Sequence, residues 1–229
     1  MKKKTIALLL VLMLVFGVTC GGTIAYLTST ASVENTFTVG KVEITLDEAL
    51  TNEYGVADAS VRIPNEEQAY EGKTGNAYKL IPGHTYTKDP TIHVQPGSEK
   101  CYVFVKVDNE IAAIEAAGNT AIAEQIKANN WNQLKDATGK EVAGVYYKTQ
   151  EAVTGTTAVD LVVFEKFTLA DEADVVYDPE VKGDVDYSNA KIIVTGYAVQ
   201  FDGFEPSESN AQNGAYDAWS NTFGKPSNT

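Results

Sequence analysis

The run Cys101-Tyr102-Val103-Phe104-Val105-Lys106-Val107 constrains this chain more than any other stretch. Successive side chains of a strand point to opposite faces. Cys101, Val103, Val105 and Val107 therefore share one face, while Tyr102 and Phe104 occupy the other. A strand that is apolar on both sides has to be covered on both, so the rest of the chain must supply two layers. Period-2 alternation recurs elsewhere. Val42, Ile44 and Leu46 share a face, and Ile92 and Val94 repeat the pattern before Pro96-Gly97 ends it. Val159, Leu161, Val163, Phe167 and Leu169 alternate with Asp160, Lys166 and Thr168, and Ile193, Thr195, Tyr197, Val199 and Phe201 alternate with Lys191 and Gln200. Val142 to Lys148 is a less regular candidate. Widely spaced strands, separated by turn signals such as Pro82-Gly83, Pro96-Gly97 and Thr138-Gly139, predict a mainly β fold. The expected architecture is a two-sheet antiparallel sandwich rather than a parallel α/β sheet.

One segment departs from this pattern. Ile111, Ile114, Gly118, Ile122 and Ile126 recur at spacings of three or four, which predicts a helical insertion over 109–130, with Gly118-Asn119 as a break, capping an open end of the sandwich. Asp58 to Gly75 and Pro206 to Gly214 are polar and turn-rich and are expected to be surface loops, and Phe223 to Thr229 a polar tail.

The first 25 residues carry the marks of a secretory signal peptide: Met1-Lys2-Lys3-Lys4, an uncharged apolar run from Ile6 to Val18, and Thr23-Ile24-Ala25 before a cut between Ala25 and Tyr26. The run is shorter than the ~20 residues a relaxed bilayer span needs. Gly17 stands where a lipid-modification signal at Cys20 would carry Leu. The expected product is a single domain, residues 26–229, exported to the extracellular matrix or cell surface with no stable membrane anchor after cleavage. Leu-Pro-x-Thr-Gly wall sorting is absent from residues 223–229.

The full chain has 18 basic and 31 acidic residues, a net charge of −13. Cleavage would remove three lysines and no acid, leaving 15 basic residues and a net charge of −16. Such a surface repels phosphate backbones, so nucleic acid is not an expected partner. Cys101 would be the single remaining cysteine, which excludes an intrachain disulfide and leaves stability to the core.

Gly21-Gly22-Thr23-Ile24-Ala25-Tyr26-Leu27-Thr28-Ser29-Thr30, followed by Val33-Glu34-Asn35-Thr36-Phe37-Thr38-Val39-Gly40, resembles the leader and the V-x-N-x-F-T-x-G segment of the TasA/camelysin family, whose precursors are cut by a SipW-type signal peptidase. Leu80-Ile81-Pro82-Gly83 with Lys88-Asp89-Pro90 and the strand from Cys101 is similar to that family's L-x-P-G-x-x-x-x-K-D-P block, and Ile193 to Phe204 with Trp219 to the closing strand of its relatives. The resemblance implies a jelly-roll subunit of biofilm-matrix fibres, not an enzyme, whose partners are other copies of itself, head to tail, and the signal peptidase. On that basis Tyr26 to Gly40 is the candidate donor strand, with Tyr26, Leu27, Val33, Phe37 and Val39 as its polymerisation residues. An exposed sheet edge can accept such a strand because main-chain hydrogen bonds supply affinity while alternate side chains fill pockets.

A camelysin-like metalloprotease would need His-Glu-x-x-His on a helix, a motif this chain lacks; His84 and His93 lie nine residues apart and read as solvated or edge residues, so no metal or cofactor is expected. Cys101, on its apolar face, reads as a core cysteine rather than a thiolate partner of His93. The acidic set Asp171, Glu172, Asp174, Asp178, Glu180, Asp184 and Asp186 lacks EF-hand spacing and reads as a solvated loop, with calcium the lesser alternative. A monomeric glycan-binding or surface-binding module would use Trp131, Tyr146, Tyr147 and Trp219 as stacking faces, but such aromatics more often fill a core.

Overall fold

A computed structural model describes residues 40–64, 75–176, 180, 185–206 and 214–223. Its strands are β1 Ile44–Thr51, β2 Ala57–Pro64, β3 Thr85–Thr87, β4 Thr91–Val94, β5 Cys101–Asn109, β6 Asn132–Lys135, β7 Glu141–Gln150, β8 Val159–Val162, β9 Lys166–Thr168 and β10 Ile192–Gln200. Two helices join them, α1 Ile122–Ala128 and α2 Gly214–Thr222. One sheet has the order β2-β1-β4-β8, the other β10-β5-β7-β6, and β3 pairs with β9. Every pairing is antiparallel.

The two sheets share one core. Ile92, Val94 and Leu161 from the first sheet pack with Cys101, Val103, Val105 and Val107 from the second, and Ile44, Leu46 and Val194 lie against them. Gly196 on β10 marks a close approach: a Cβ there would stand 3.2 Å from the Ile92 Cδ1 atom and 3.5 Å from that of Ile44, so glycine lets the isoleucines of the first sheet seat on the second.

The opposite face of β5 is covered too, as its sequence demands. Tyr102 and Phe104 join Leu134, Val145, Tyr197, Val199 and Phe201 in a second cluster, roofed by Ala215, Ala218 and Trp219 of α2. The C-terminal helix thus forms a third layer, and neither it nor the roof was expected from sequence. Its nine residues fall short of the ~12–15 an isolated helix needs, so the aromatic sheet face holds it in place.

The long β8–β9 alternation is split. Lys88 N–H donates to Glu165 O at 3.1 Å and Val163 N–H to Pro90 O at 2.9 Å, so the β3–β9 and β4–β8 ladders run as one ribbon bent at Lys88-Asp89-Pro90. Pro90 suits a bend because it has no N–H to leave unpaired.

Two expectations change. Asp58 to Pro64 is strand β2 rather than loop, because pairing with β1 places Ile63 in the core, 2% exposed; residues 65–74 lie outside the described residues. The helical insertion over 109–130 contracts to α1. Gly118 takes a φ of +87°, and before it the backbone is drawn into sheet pairing: Ala116 N–H donates to Thr168 O at 2.8 Å and Ala170 N–H to Ile114 O at 2.9 Å. Ile111, Ile114, Ile122 and Ile126 are nonetheless all buried in the core, as their spacing predicted. Glu115 caps α1, its Oε1 accepting from Ile122 N–H at 2.6 Å.

Candidate functional site

The signal-peptide cleavage pair Ala25 and Tyr26, and the donor-strand residues Tyr26, Leu27, Val33, Phe37 and Val39, lie outside the described residues. What is described is how the chain leaves Gly40. Gln95 N–H donates to Glu43 O and Glu99 N–H to Lys41 O, each at 2.9 Å, and Glu43 N–H donates to Ser98 Oγ at 3.1 Å. Residues 41–43 are thereby clasped to the 95–99 turn, and Gly40 is delivered exposed at the junction between the sheets.

The four outer strands offer different edges. The β8 edge is blunted by side chains, since Trp131 Nε1–H donates to Val162 O at 2.8 Å. β6 has only four residues, and the β1–β2 ladder breaks between Ala49 and Leu50. β10 pairs with β5 along all nine of its residues and has no strand on its other side among the described residues.

The densest charge network lies at the bend. Asp89 Oδ1 accepts from Ala49 N–H at 2.7 Å, and its Oδ2 accepts from Arg62 Nη1 at 2.9 Å. Arg62 reaches from β2 across β1, and its Nε donates to Asp47 Oδ1 at 2.5 Å. Lys88 points the other way, inward, and its Nζ donates to Glu48 Oε2 at 2.6 Å, both residues being 8% exposed. Asn76 completes the cluster. Its Nδ2 donates to Glu48 Oε1 at 3.0 Å and to Ala49 O at 2.9 Å, and its Oδ1 accepts from Thr51 N–H at 2.8 Å. The amide side chain serves as a ladder partner where the β1–β2 register slips. Lys88, Asp89 and Pro90, read from sequence only as a resemblance block, are thus the hub tying β1, β2 and the bent ribbon. Asn76, Glu48 and Arg62 were missed, because nothing in their local spacing shows that they meet.

The remaining candidates separate. His84 Nε2 lies 2.9 Å from Tyr54 O. His93 stands on the outer face of the first sheet between two carboxylates, its Nδ1 2.7 Å from Asp160 Oδ1 and its Nε2 3.0 Å from Asp47 Oδ2. Burial alone would lower the His93 pKa, but Asp160 and Asp47 reverse the effect and hold it above the usual imidazole value. Cys101 is in the other sheet, fully buried on its inner face, and desolvation pushes its thiol up to about 11, so it does not pair with His93. Trp131, Tyr146 and Trp219 are buried in the two cores rather than presented as stacking faces. Of the acidic set, Asp178 and Asp184 lie outside the described residues, while Asp174 and Asp186 accept local backbone N–H bonds from Val176 and Ser188. Among the described residues no group of three or more His, Cys, Asp or Glu is placed to hold a metal, and no helix is long and apolar enough to cross a membrane.

No family model, curated protein or solved structure matches the chain.

Proposed function

We propose that this chain is a secreted structural subunit of jelly-roll type that polymerises head to tail into extracellular biofilm-matrix fibres, with Tyr26 to Val39 as the strand donated to the next copy. The observation that carries the reading is the Gly21–Thr30 leader followed directly by Val33-x-Asn35-x-Phe37-Thr38-x-Gly40. The fold supports it physically. The clasp at residues 41–43 leaves Gly40 exposed, and β10 has a long regular edge with no strand beside it among the described residues. Leu27, Val33, Phe37 and Val39 all fall on odd positions, so an extended segment would turn them to one face while its backbone pairs with an edge. Because donor and acceptor are different surfaces, the contact is heterologous and repeats as an open filament. Cleavage at Ala25 by a SipW-type peptidase would free the donor.

The test compares the chain beginning at Tyr26 with one lacking Tyr26–Val39, by light scattering and negative-stain imaging across pH and salt. Filaments from the first and none from the second are expected. Filaments that form equally fast without the segment, or a monomer under every condition, would overturn the reading.

A further inference from the structure

The Lys88–Glu48–Asn76 cluster is unusual in its parts. An amine and a carboxamide, from different segments, are hydrogen-bonded to the two oxygens of one buried carboxylate: Lys88 Nζ to Glu48 Oε2 at 2.6 Å, and Asn76 Nδ2 to Glu48 Oε1 at 3.0 Å. As an ion pair alone this is a poor investment, since desolvating both charges offsets most of their attraction. As a reaction site it is well arranged. The Asn76 carbonyl oxygen accepts the Thr51 N–H at 2.8 Å, which polarises the carbon and would hold negative charge developing on that oxygen. Lys88 and Glu48 are largely shielded from water, each 8% exposed, and Asn76 is half-buried. Tyr78 stands beside Asn76 and Glu48, and burial pushes its phenol up. Its ring meets Tyr86 at 5.5 Å and Phe167 at 5.1 Å, and Tyr86 stacks on Phe167 at 4.7 Å.

We propose that Lys88 and Asn76 are joined by an intramolecular amide bond, formed by the folded chain itself with Glu48 as the proton carrier. A proton passes from the Lys88 ammonium to Glu48, and the freed amine lone pair attacks Asn76 Cγ. The tetrahedral oxyanion rests on the Thr51 N–H. Glu48 returns its proton to Nδ2, and the carbon–Nδ2 bond breaks. The second proton shed by Nζ follows the same route, so nitrogen leaves as ammonium and Glu48 ends as the carboxylate it began as. One carbon–nitrogen bond forms and one breaks, and nothing is oxidised or reduced. The new amide N–H takes over the place of the Nδ2–H donor beside Ala49 O. The bond would lock the bend to the 76–80 segment in a domain whose single mature cysteine cannot form an internal disulfide. This inference is independent of polymerisation and stands or falls separately.

The test is the intact mass of the purified mature chain, followed by trypsin digestion. Loss of ammonia lowers the mass by about 17 Da relative to the sequence. Trypsin should then yield a branched peptide in which Thr74–Lys79 is joined to Leu80–Lys100, uncut after Lys88 because an acylated lysine is not cleaved. Lys88→Arg and Asn76→Ala should each restore the full sequence mass, and Glu48→Gln should leave most of the chain unjoined. If these variants fail to fold, the native chain still decides. A folded native chain at its full mass and cleaved after Lys88 overturns the proposal, as does a loss of about 17 Da located at any other residue.

Discussion

Replacing Trp219 with Ala tests whether the C-terminal helix is a structural layer. The indole is 9% exposed and meets three rings: Phe104 at 5.4 Å, Tyr197 at 5.3 Å in an edge-to-face arrangement, and Phe223 at 5.3 Å. Truncating a buried Trp to Ala costs ~3–5 kcal/mol, and aromatic pairs carry part of that beyond area alone. Partial exposure and the terminal position argue for the lower end, about 3 kcal/mol. The helix cannot hold itself in place at nine residues, so losing its anchor should also expose Tyr102 and Phe104, now 2% and 0% exposed. The chain has two tryptophans, and the variant leaves Trp131, 3% exposed in the other core, as the single indole reporter. With a urea slope of ~2 kcal/mol per molar, the midpoint followed by Trp131 fluorescence should fall by ~1.5 M. Hydrogen exchange should quicken first in β10 and β5. A midpoint shift below ~0.5 M, corresponding to under ~1 kcal/mol, with unchanged exchange in those strands, would mean that α2 does not roof the sheet.

Three further outcomes are expected. Gly144 has a φ of +67°, and a Cβ there would meet Val107 O at 2.4 Å, so Gly144→Ala should cost ~2 kcal/mol or more in chemical denaturation; a neutral result would refute the close approach of Gly144 to the Val107 carbonyl. His93 has a folded pKa raised above 6.5 by Asp160 and Asp47, with Arg62 on the far side of Asp47. Its contribution is therefore fully present below about pH 6.5 and lost as pH rises through the raised folded value. The stability difference between wild type and His93→Gln should shrink across that window, and a difference that grows with pH would contradict the two-carboxylate geometry. Cys101, its thiol pushed up to about 11 and fully buried, should resist a thiol reagent at neutral pH until urea unfolds the domain, and rapid native labelling would place it elsewhere.

Legibility from sequence followed from how far apart the cooperating residues lie. Strand β5 was readable because its alternation is local and strong, and Cys101, Val103 and Val105 face one core while Tyr102 and Phe104 face the other. β10 and the strand character of β8 and β9 were legible for the same reason, but the bend between β8 and β9 was not. β2 was not: Asp58, Ser60 and Arg62 look like loop residues until β1 supplies pairing and Asp47 and Asp89 supply partners. The insertion at 109–130 showed its buried isoleucines correctly but not its conformation, since the Ile114 carbonyl and the Ala116 N–H found sheet partners 56 and 52 residues away.

The amino-acid sequence by itself thus determined the mainly β character, the doubly covered central strand, the acidic charge and the burial of Cys101. Each rests on short-range periodicity or composition, which the unfolded chain already carries. Only the tertiary structure decided that a nine-residue helix roofs the second sheet, that Lys88-Asp89-Pro90 is the hinge of a bent ribbon, and that Lys88, Glu48 and Asn76 meet. Those contacts join residues separated by 22 to more than 100 positions, and a buried polar group takes whichever partner the packed backbone brings within reach.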